Sequence, residues 1–348
     1  VKILYLGAPT GTSLHRKTAL ERLGHEVRQI NPEANLPRDY LRAKLHYESG
    51  GLLSERTVAR DVLRQVGHER FDLVWVDHGR CVGPALIRGL QRRAGAVINL
   101  NVDDPYGWRD RLSWLLYRKA VPHYDLVVVV RDPNVPEARG LGARNVMQVW
   151  RAADEVAHAP RTPSAEDRAR YGSEVAFVGT YFPERGPFLA ELVKRGVPLT
   201  IYGDHWQRAR EWSLLAPYWR GPGSKSDDEY ALMIQCSKVA LGLLSRGNRD
   251  LHTTRSAEVP HLGTVLCAER TREHEALYLD GKEALFWSDA AECAAACNAL
   301  LRDDHLRRSV AAAGRARCIA NGTLNEAIAE QVLQRVAQLT GTGRRLAA

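Results

Sequence analysis

The 348-residue chain contains no run of about 20 consecutive apolar residues, the length a helix needs to cross a bilayer. Its opening stretch VKILYLGAP is broken by Gly7 and Pro9 before a secretory hydrophobic region can form. The expectation is a cytoplasmic protein that neither spans a membrane nor is exported. None of the six cysteines forms a CxxC pair, and no His or Cys pairing completes a tetrahedral zinc set, so the sequence predicts buried thiols and no metal. Lysine is scarce, at 8 of the 49 basic residues, yet 41 acids leave a net charge of +8. That excess favours anionic partners such as nucleotide phosphates. No helix carries a continuous basic stripe and no nucleic-acid motif occurs, so nucleic acid is not expected as a partner. No amphipathic anchor stands out either, which leaves at most peripheral membrane contact.

What is present is a globular balance, 45% hydrophobic and 26% charged, in a chain long enough for two domains. Short apolar runs alternate with amphipathic segments. KILYL (2–6), 26–30, FDLVWVD (71–77), 96–102 and DLVVVV (125–130) read as strands. Ser13 reads as the N-cap of a first helix ending near Gly24, and 57–66, 84–94 and 108–120 read as further helices. The pattern stops over 158–172, a polar stretch with two prolines that reads as a linker. It resumes with strands at 175–178, 198–202, 238–243, 264–268 and 284–287, separated by helices. Three more helices follow, at about 290–302, 305–320 and 324–339, and the tail GTGRRLAA reads as frayed. Buried strands alternating with helices imply parallel sheets covered on both faces. The expected domains are an N-terminal, acceptor-side one (1–157), the linker (158–172) and a C-terminal nucleotide-sugar domain (173–322). A helix and tail (323–348) would pack back on the first domain. Two such doubly wound domains facing a central cleft would bind ligands outside the strand C-terminal ends.

The chemistry-bearing segments fall at those ends. Gly11 and Thr12 lie in the glycine-containing turn after the first strand, where backbone N–H groups can meet an anion. FVGTYFPER places Gly179 and Thr180 after a strand and Arg185 in the first helical turn, within reach of a phosphate. In DLHTTRSAE, Asp250 and Glu258 stand eight apart with His252, Thr254, Arg255 and Ser256 between them. A loop entering a helix at Thr254 would point these groups into the cleft, and Glu258 can accept hydrogen bonds from a vicinal diol such as a ribose. On the other side, Asp77-His78-Gly79-Arg80 and Asn101-Val102-Asp103-Asp104 end two successive strands. His78, Asp77, Asp103 or Asp104 could act as a general base.

The segment HTTRSAEVPHLGTVLCAERTREHEALYLDGKEALFW resembles the signature of CgeB-like (spore maturation protein type) glycosyltransferases of the group-1 clan. KILYLGAPTGTSLHRKTALERLGHEV and FVGTYFPERGPFLAELVKRGVPLTIYGDHW are similar to the same family. The resemblance implies the GT-B fold and transfer of a sugar from a nucleotide diphosphate donor. It favours retention without a metal, and it needs no cofactor beyond that co-substrate. The acceptor, whether glycan, lipid, protein or small molecule, stays open. The clan's acid-x7-acid motif matches Asp250–Glu258, with Gly263 following at the expected distance. The resemblance thus puts Glu258 on the donor ribose and Asp250 near the transferred sugar. Asp250 departs from the usual Glu, and His252 would share its role. The clan's phosphate clamp aligns with Gly179, Thr180 and Arg185; Thr180 stands where relatives carry Arg, and Arg255 would restore the charge. Trp219, Arg220 and Gly221, in the loop 206–223, would neighbour the base. The expected catalytic groups are therefore Asp250, His252, His78 and Asp103, and Ser256 joins the donor-binding set. A sugar-nucleotide epimerase or hydrolase of the same fold, or a non-catalytic nucleotide-sugar-binding module, stands as the alternative.

Overall fold

The computed structural model describes residues 1–34, 36 and 39–341; the tail residues 342–348 lie outside the described residues. Contacts divide the chain into two compact units, one holding Val1–Trp150, Gly247–Arg249 and the segment from Asn325, the other Arg151–Arg246 and Asp250–Leu324. The division falls at Trp150, ahead of the stretch that reads as a linker.

The first unit runs β1 (Lys2–Leu6), α1 (Gly11–Arg22), β2 (Glu26–Ile30), α2 (Tyr40–Glu48), α3 (Glu55–Val66), β3 (Phe71–Asp77) and α4 (Pro84–Gln91). It continues with β4 (Ala94–Asn101), α5 (Leu115–Ala120), β5 (Leu126–Val129), α6 (Asn134–Gly140) and β6 (Val146–Gln148). All six strands are parallel, in the order β2-β1-β3-β4-β5-β6. The core strands are apolar on both faces because helices cover both. Leu73, Val74, Trp75 and Val76 of β3 are all buried, and α3 lays Val58, Ala59, Val62 and Val66 against the sheet at helical spacing. Several details depart from the sequence reading. Helix α1 starts at Gly11 with Thr10 at its cap, because the Ser13 hydroxyl is turned inward to the Tyr5 hydroxyl instead of capping. The expected helix 108–120 is a 3₁₀ turn (Arg111–Trp114) followed by the short α5. Helices α2 and α6 and strand β6 were not anticipated.

The second unit runs α7 (Ala165–Tyr171), β7 (Ser173–Val178), α8 (Arg185–Lys194), β8 (Leu199–Tyr202), α9 (Trp212–Leu215) and α10 (Asp227–Gln235). Then come β9 (Ser237–Gly242), α11 (Arg255–His261), β10 (Val265–Glu269), α12 (Arg272–Leu277), β11 (Leu285–Trp287), α13 (Ala290–Arg302) and α14 (Asp304–Ala320). Its five parallel strands are ordered β11-β10-β9-β7-β8. Helix α7 lies inside the expected linker; Ser164 and Asp167 cap it reciprocally, which outweighs the two prolines ahead of it. The last helix, α15 (Asn325–Thr340), belongs to the first unit and packs on α1. No helix among the described residues is long and apolar enough to cross a membrane.

In each sheet the strand order reverses next to the first strand of its unit, at β1/β3 and at β7/β9. Such a switch point opens a crevice at the strand C-terminal ends, because neighbouring connections leave it in opposite directions.

Candidate active site

Each switch point holds a cavity. In the first unit it has a volume of about 470 Å³ and is lined by the turn Gly7–Ser13 after β1, residues 77–82 after β3 and Asp103 after β4. Gly7 is required here: a Cβ would stand 2.6 Å from Ser13 Oγ and 2.7 Å from the Tyr5 ring. Gly11 and Thr12 line this cavity, and so do His78 and Asp103. His78 Nε2 lies 2.6 Å from Asp103 Oδ2, and the imidazole packs on the Trp114 indole at 4.8 Å between centroids. The other two acids considered as bases are already spoken for. Asp77 accepts two bonds from Arg16, at 2.7 and 3.0 Å. Asp104 accepts two from Arg249, at 2.6 and 2.8 Å. Burial disfavours the Asp104 charge, but Arg249 and Asn134 more than offset this and hold its carboxyl below the usual range.

In the second unit the cavity at β7/β9 is about 190 Å³ and is lined by Gly179, Thr180, Arg185 and Arg255 among others. Gly179 leaves no room for a side chain, since a Cβ would meet the Phe177 ring at 2.8 Å. Arg185 enters from the first turn of α8 and is 9% exposed. Its guanidinium donates to three carbonyls: Thr180 O at 2.7 Å, Leu243 O at 3.2 Å and Leu244 O at 3.3 Å. It also lies over the Phe182 ring at 4.4 Å, while Nε is buried without a partner. Burial, then the nearby Arg255 charge, push its pKa down to about 10. Arg255, at the start of α11, donates to Val178 O at 3.1 Å. Two guanidinium groups thus converge beside a glycine turn, and no carboxylate among the described residues hydrogen-bonds Arg185. An anion of phosphate size would relieve both the burial cost and the mutual repulsion.

The acids of the Asp250–Glu258 segment sit behind this cavity, outside its lining. Glu258 is 3% exposed. Its Oε2 accepts the Tyr230 hydroxyl at 2.5 Å and lies 3.4 Å from Arg255, and His158 Nε2 stands 3.6 Å from Oε1. Asp250 accepts from the Arg151 guanidinium at 3.0 Å. His252, expected to share its role, is 2% exposed with both ring nitrogens engaged. The Arg151 backbone N–H donates to Nε2 at 3.0 Å, so Nδ1 carries the proton toward Glu273, 2.6 Å away. Burial holds this imidazole neutral by lowering its pKa. Ser256 is tied up between the Thr253 N–H and His274 Nε2. Of the groups expected to point into the cleft, Arg255 lines the cavity, whereas Asp250, His252, Ser256 and Glu258 are buried and engaged by partners from other segments. Tyr230, His158, Arg151 and Glu273 carried no signal in sequence, because each meets its partner only through the tertiary fold.

The expected base-binding loop is also differently placed. The Trp219 indole N–H donates to Gly203 O and the Trp206 N–H to Gly179 O, both at 3.0 Å, so the two rings brace the turns. Arg220 donates to Gly172 O at 2.8 Å, and with Gly221 it lines a separate cavity of about 400 Å³. Cys267, Cys293 and Cys297 are buried with their Sγ atoms all within 4.8 Å of one another. The group lacks a fourth His, Cys, Asp or Glu among the described residues, one ligand short of a closed tetrahedral site.

A two-unit chain with parallel sheets and a cavity at each switch point belongs to the GT-B class of fold. A family described as glycosyl transferase-like matches residues 185–334, and no curated protein matches the chain in sequence. Among solved structures the chain is similar to sucrose-phosphate synthase from Thermosynechococcus elongatus, with 15% identity, 98% of this chain and 99% of that one covered, and a TM-score of 0.71. It is similar to trehalose-6-phosphate synthase OtsA (13% identity, 97% and 99% covered, TM-score 0.68). It is also similar to Anabaena HepE in complex with UDP-glucose (14%, 98% and 99%, TM-score 0.65). At these identities the likeness shows the GT-B fold. Together with the family match it supports a glycosyltransferase enzyme.

Proposed function

We propose that the protein transfers a sugar from a nucleoside diphosphate donor to an acceptor hydroxyl, without a metal ion, and acts in the cytoplasm. The carrying observation is the pair Arg185 and Arg255 at the β7/β9 switch point, poised for a diphosphate in a cavity bounded by the Gly179 turn. As the bond from the sugar to the diphosphate breaks, charge builds on the leaving group, and fixed guanidinium groups lower that barrier electrostatically. The glycosyl transferase-like match spans α8 to α15 and so includes both arginines. The UDP-glucose bound to Anabaena HepE supports a nucleotide sugar as donor. Six free cysteines, none in a disulfide, support a reducing compartment. Retention of configuration and the narrower CgeB-like assignment rest on the motif resemblance.

A thermal-shift panel of nucleoside diphosphates and their sugars tests the reading. A ligand at about 100 times its Kd should stabilise the protein by about 2.7 kcal/mol. Arg185→Lys loses the planar fork, and the shift should shrink with it. The absence of any shift from every nucleoside diphosphate and its sugars would reject the reading. Donor consumption with no acceptor, giving an altered or hydrolysed sugar, would assign an epimerase or hydrolase instead.

A further inference from the structure

We propose that the second unit carries a further binding site, for a phosphate monoester of a polyol such as a sugar phosphate, in the cavity at the N-terminal ends of its strands. The donor cavity lies at the C-terminal ends of the same sheet. The two share no lining residue, and this inference stands apart from the glycosyl-transfer reading.

The first support is the place and size of the hollow. It has a volume of about 880 Å³, within the range of small-molecule pockets. Ser173 at the start of β7, Thr200 of β8, Ser237 of β9 and Val265 of β10 line it, and α14 adds a wall through Arg307 and Arg308. Four parallel strands therefore begin at this cavity. Two of them, β7 and β9, run from it to the switch point where Arg185 sits, so a ligand here would leave the donor cavity open.

The second support is charge. Arg168 of α7, Arg220, Lys238 of β9 and the two α14 arginines line the cavity, and Glu174 is the one acid in that lining among the described residues. Glu174 takes Lys238, at 2.9 Å. Asp304 serves both α14 arginines, bonding Arg307 and standing 3.9 Å from Arg308. Arg220 spends one N–H on Gly172 O at 2.8 Å, and neither it nor Arg168 pairs with a carboxylate among the described residues. The Arg307 side chain is only 13% exposed, so its charge is held at the wall. Cations gathered around one hollow repel each other. A phosphate monoester, with about 1.5 to 2 negative charges at neutral pH, offsets that repulsion and accepts from the planar guanidinium forks.

The third support is the set of hydroxyls at the strand starts, which selects the rest of the ligand. Ser237 donates its only hydroxyl proton to Met233 O at 2.6 Å, so in the 2.8 Å contact between Ser173 and Ser237 the proton comes from Ser173. Thr264 donates to Ile234 O at 3.0 Å. All three hydroxyls line the cavity and have spent their protons, so they can only accept. A bare anion set against them would face lone pairs, whereas the hydroxyls of a polyol would donate to them. Cations from α7, α14 and the Arg220 turn, with acceptors along the strand starts, together fit a molecule that bears a phosphate at one end and free hydroxyls at the other.

Calorimetric titration of the full chain tests this with three probes: glucose 6-phosphate, which carries both groups, and inorganic phosphate and glucose, which carry one each. Glucose 6-phosphate should bind at least about tenfold more tightly than either of the others. Arg168→Ala and Arg307→Ala should each weaken it by about tenfold or more, the loss expected for a hydrogen bond to a charged group. Arg168 is exposed, so its variant retains the test if Arg307→Ala fails to fold. Ser173→Ala should weaken glucose 6-phosphate by about two- to tenfold and leave inorganic phosphate unchanged. Arg185→Lys, in the donor cavity, should change neither. Absence of glucose 6-phosphate binding overturns the proposal. So does binding that survives both the Arg168 and Arg307 variants, or that falls with Arg185→Lys, because the ligand would then sit elsewhere. Inorganic phosphate binding as tightly as glucose 6-phosphate overturns the assigned ligand, since the hydroxyls would then contribute nothing.

Discussion

His274 makes the second unit acid-sensitive, because burial disfavours its charged form. Its Nδ1 is 2.6 Å from Glu269 O, and a carbonyl only accepts, so Nδ1 carries the proton. Nε2 therefore accepts the Ser256 hydroxyl at 2.8 Å. The ring is 1% exposed and stacks on Phe286, and burial pushes its pKa from 6.5 down to about 4. A second proton would meet the Ser256 hydroxyl head-on and be stranded without solvent. Between pH 6.5 and 4 the unfolded chain binds that proton and the folded chain does not, so stability falls as pH falls. It is complete above 6.5 and loses nothing further below about 4. At about 1.4 kcal/mol per pH unit the ceiling is about 3 kcal/mol, of which about 2 kcal/mol should vanish between pH 8 and pH 5. Asn at this position keeps an amide N–H for the Glu269 carbonyl but does not titrate. Urea unfolding at both pH values, followed by circular dichroism, should show the wild type losing about 2 kcal/mol more than His274→Asn. Equal losses would refute the argument, because they would mean that the imidazole protonates in the folded protein as readily as in water.

Three further outcomes follow from the packing of the two cavities. Glu258→Ala leaves the buried Tyr230 hydroxyl without its acceptor and removes the carboxylate beside the part-exposed Arg255, and should cost about 1–3 kcal/mol in urea unfolding. Unchanged stability with lost donor binding would instead place this carboxylate on the ligand. Arg185→Lys, which replaces a fork spanning three carbonyls by one ammonium, should weaken nucleoside diphosphate binding by about ten- to a hundredfold in calorimetric titration; unchanged affinity would remove Arg185 from the anion site. Gly7→Ala forces a methyl group against Ser13 Oγ and the Tyr5 ring and should destabilise the protein by about 1–3 kcal/mol in urea unfolding, whereas a neutral result would show that the turn can open.

Most strands were legible because they are short apolar runs closed by a glycine or a polar residue and buried on both faces, whereas the three-residue, half-buried edge strand β6 gave no such signal. FDLVWVD marks β3 to the residue, and the bounds of the more polar EVRQI also match β2. The misses share one cause, which is that tertiary contacts decided the local choice. Ser13 is a good capping residue by type, but Tyr5 claims its hydroxyl, and the helix starts three residues earlier, with Thr10 at its cap. Proline weighed against a helix in 158–172, yet both prolines precede the Ser164 cap and leave α7 free to form.

The same cause governs the candidate site, and it separates what spacing can reveal from what it cannot. Glycine turns are visible because their constraint is local. Gly7 and Gly179 each exclude a side chain for reasons that lie within six residues of them, and both mark a switch point. The arginines beside Gly179 were legible for a related reason: a cation in the first turn of a helix after such a turn has little else to reach. The acids were not, because an acidic side chain in a motif reads the same whether it faces a ligand or a buried cation. Asp77 and Asp104 looked as open as Asp103 in the sequence, and only Arg16 and Arg249, 61 and 145 residues away, take them out of use. Glu258 is held the same way by Tyr230, 28 residues off. Of the acids weighed as acceptor-side bases, Asp103 is the one that meets a histidine, His78 at 2.6 Å, and an imidazole, unlike a guanidinium, can exchange the proton it shares with a carboxylate.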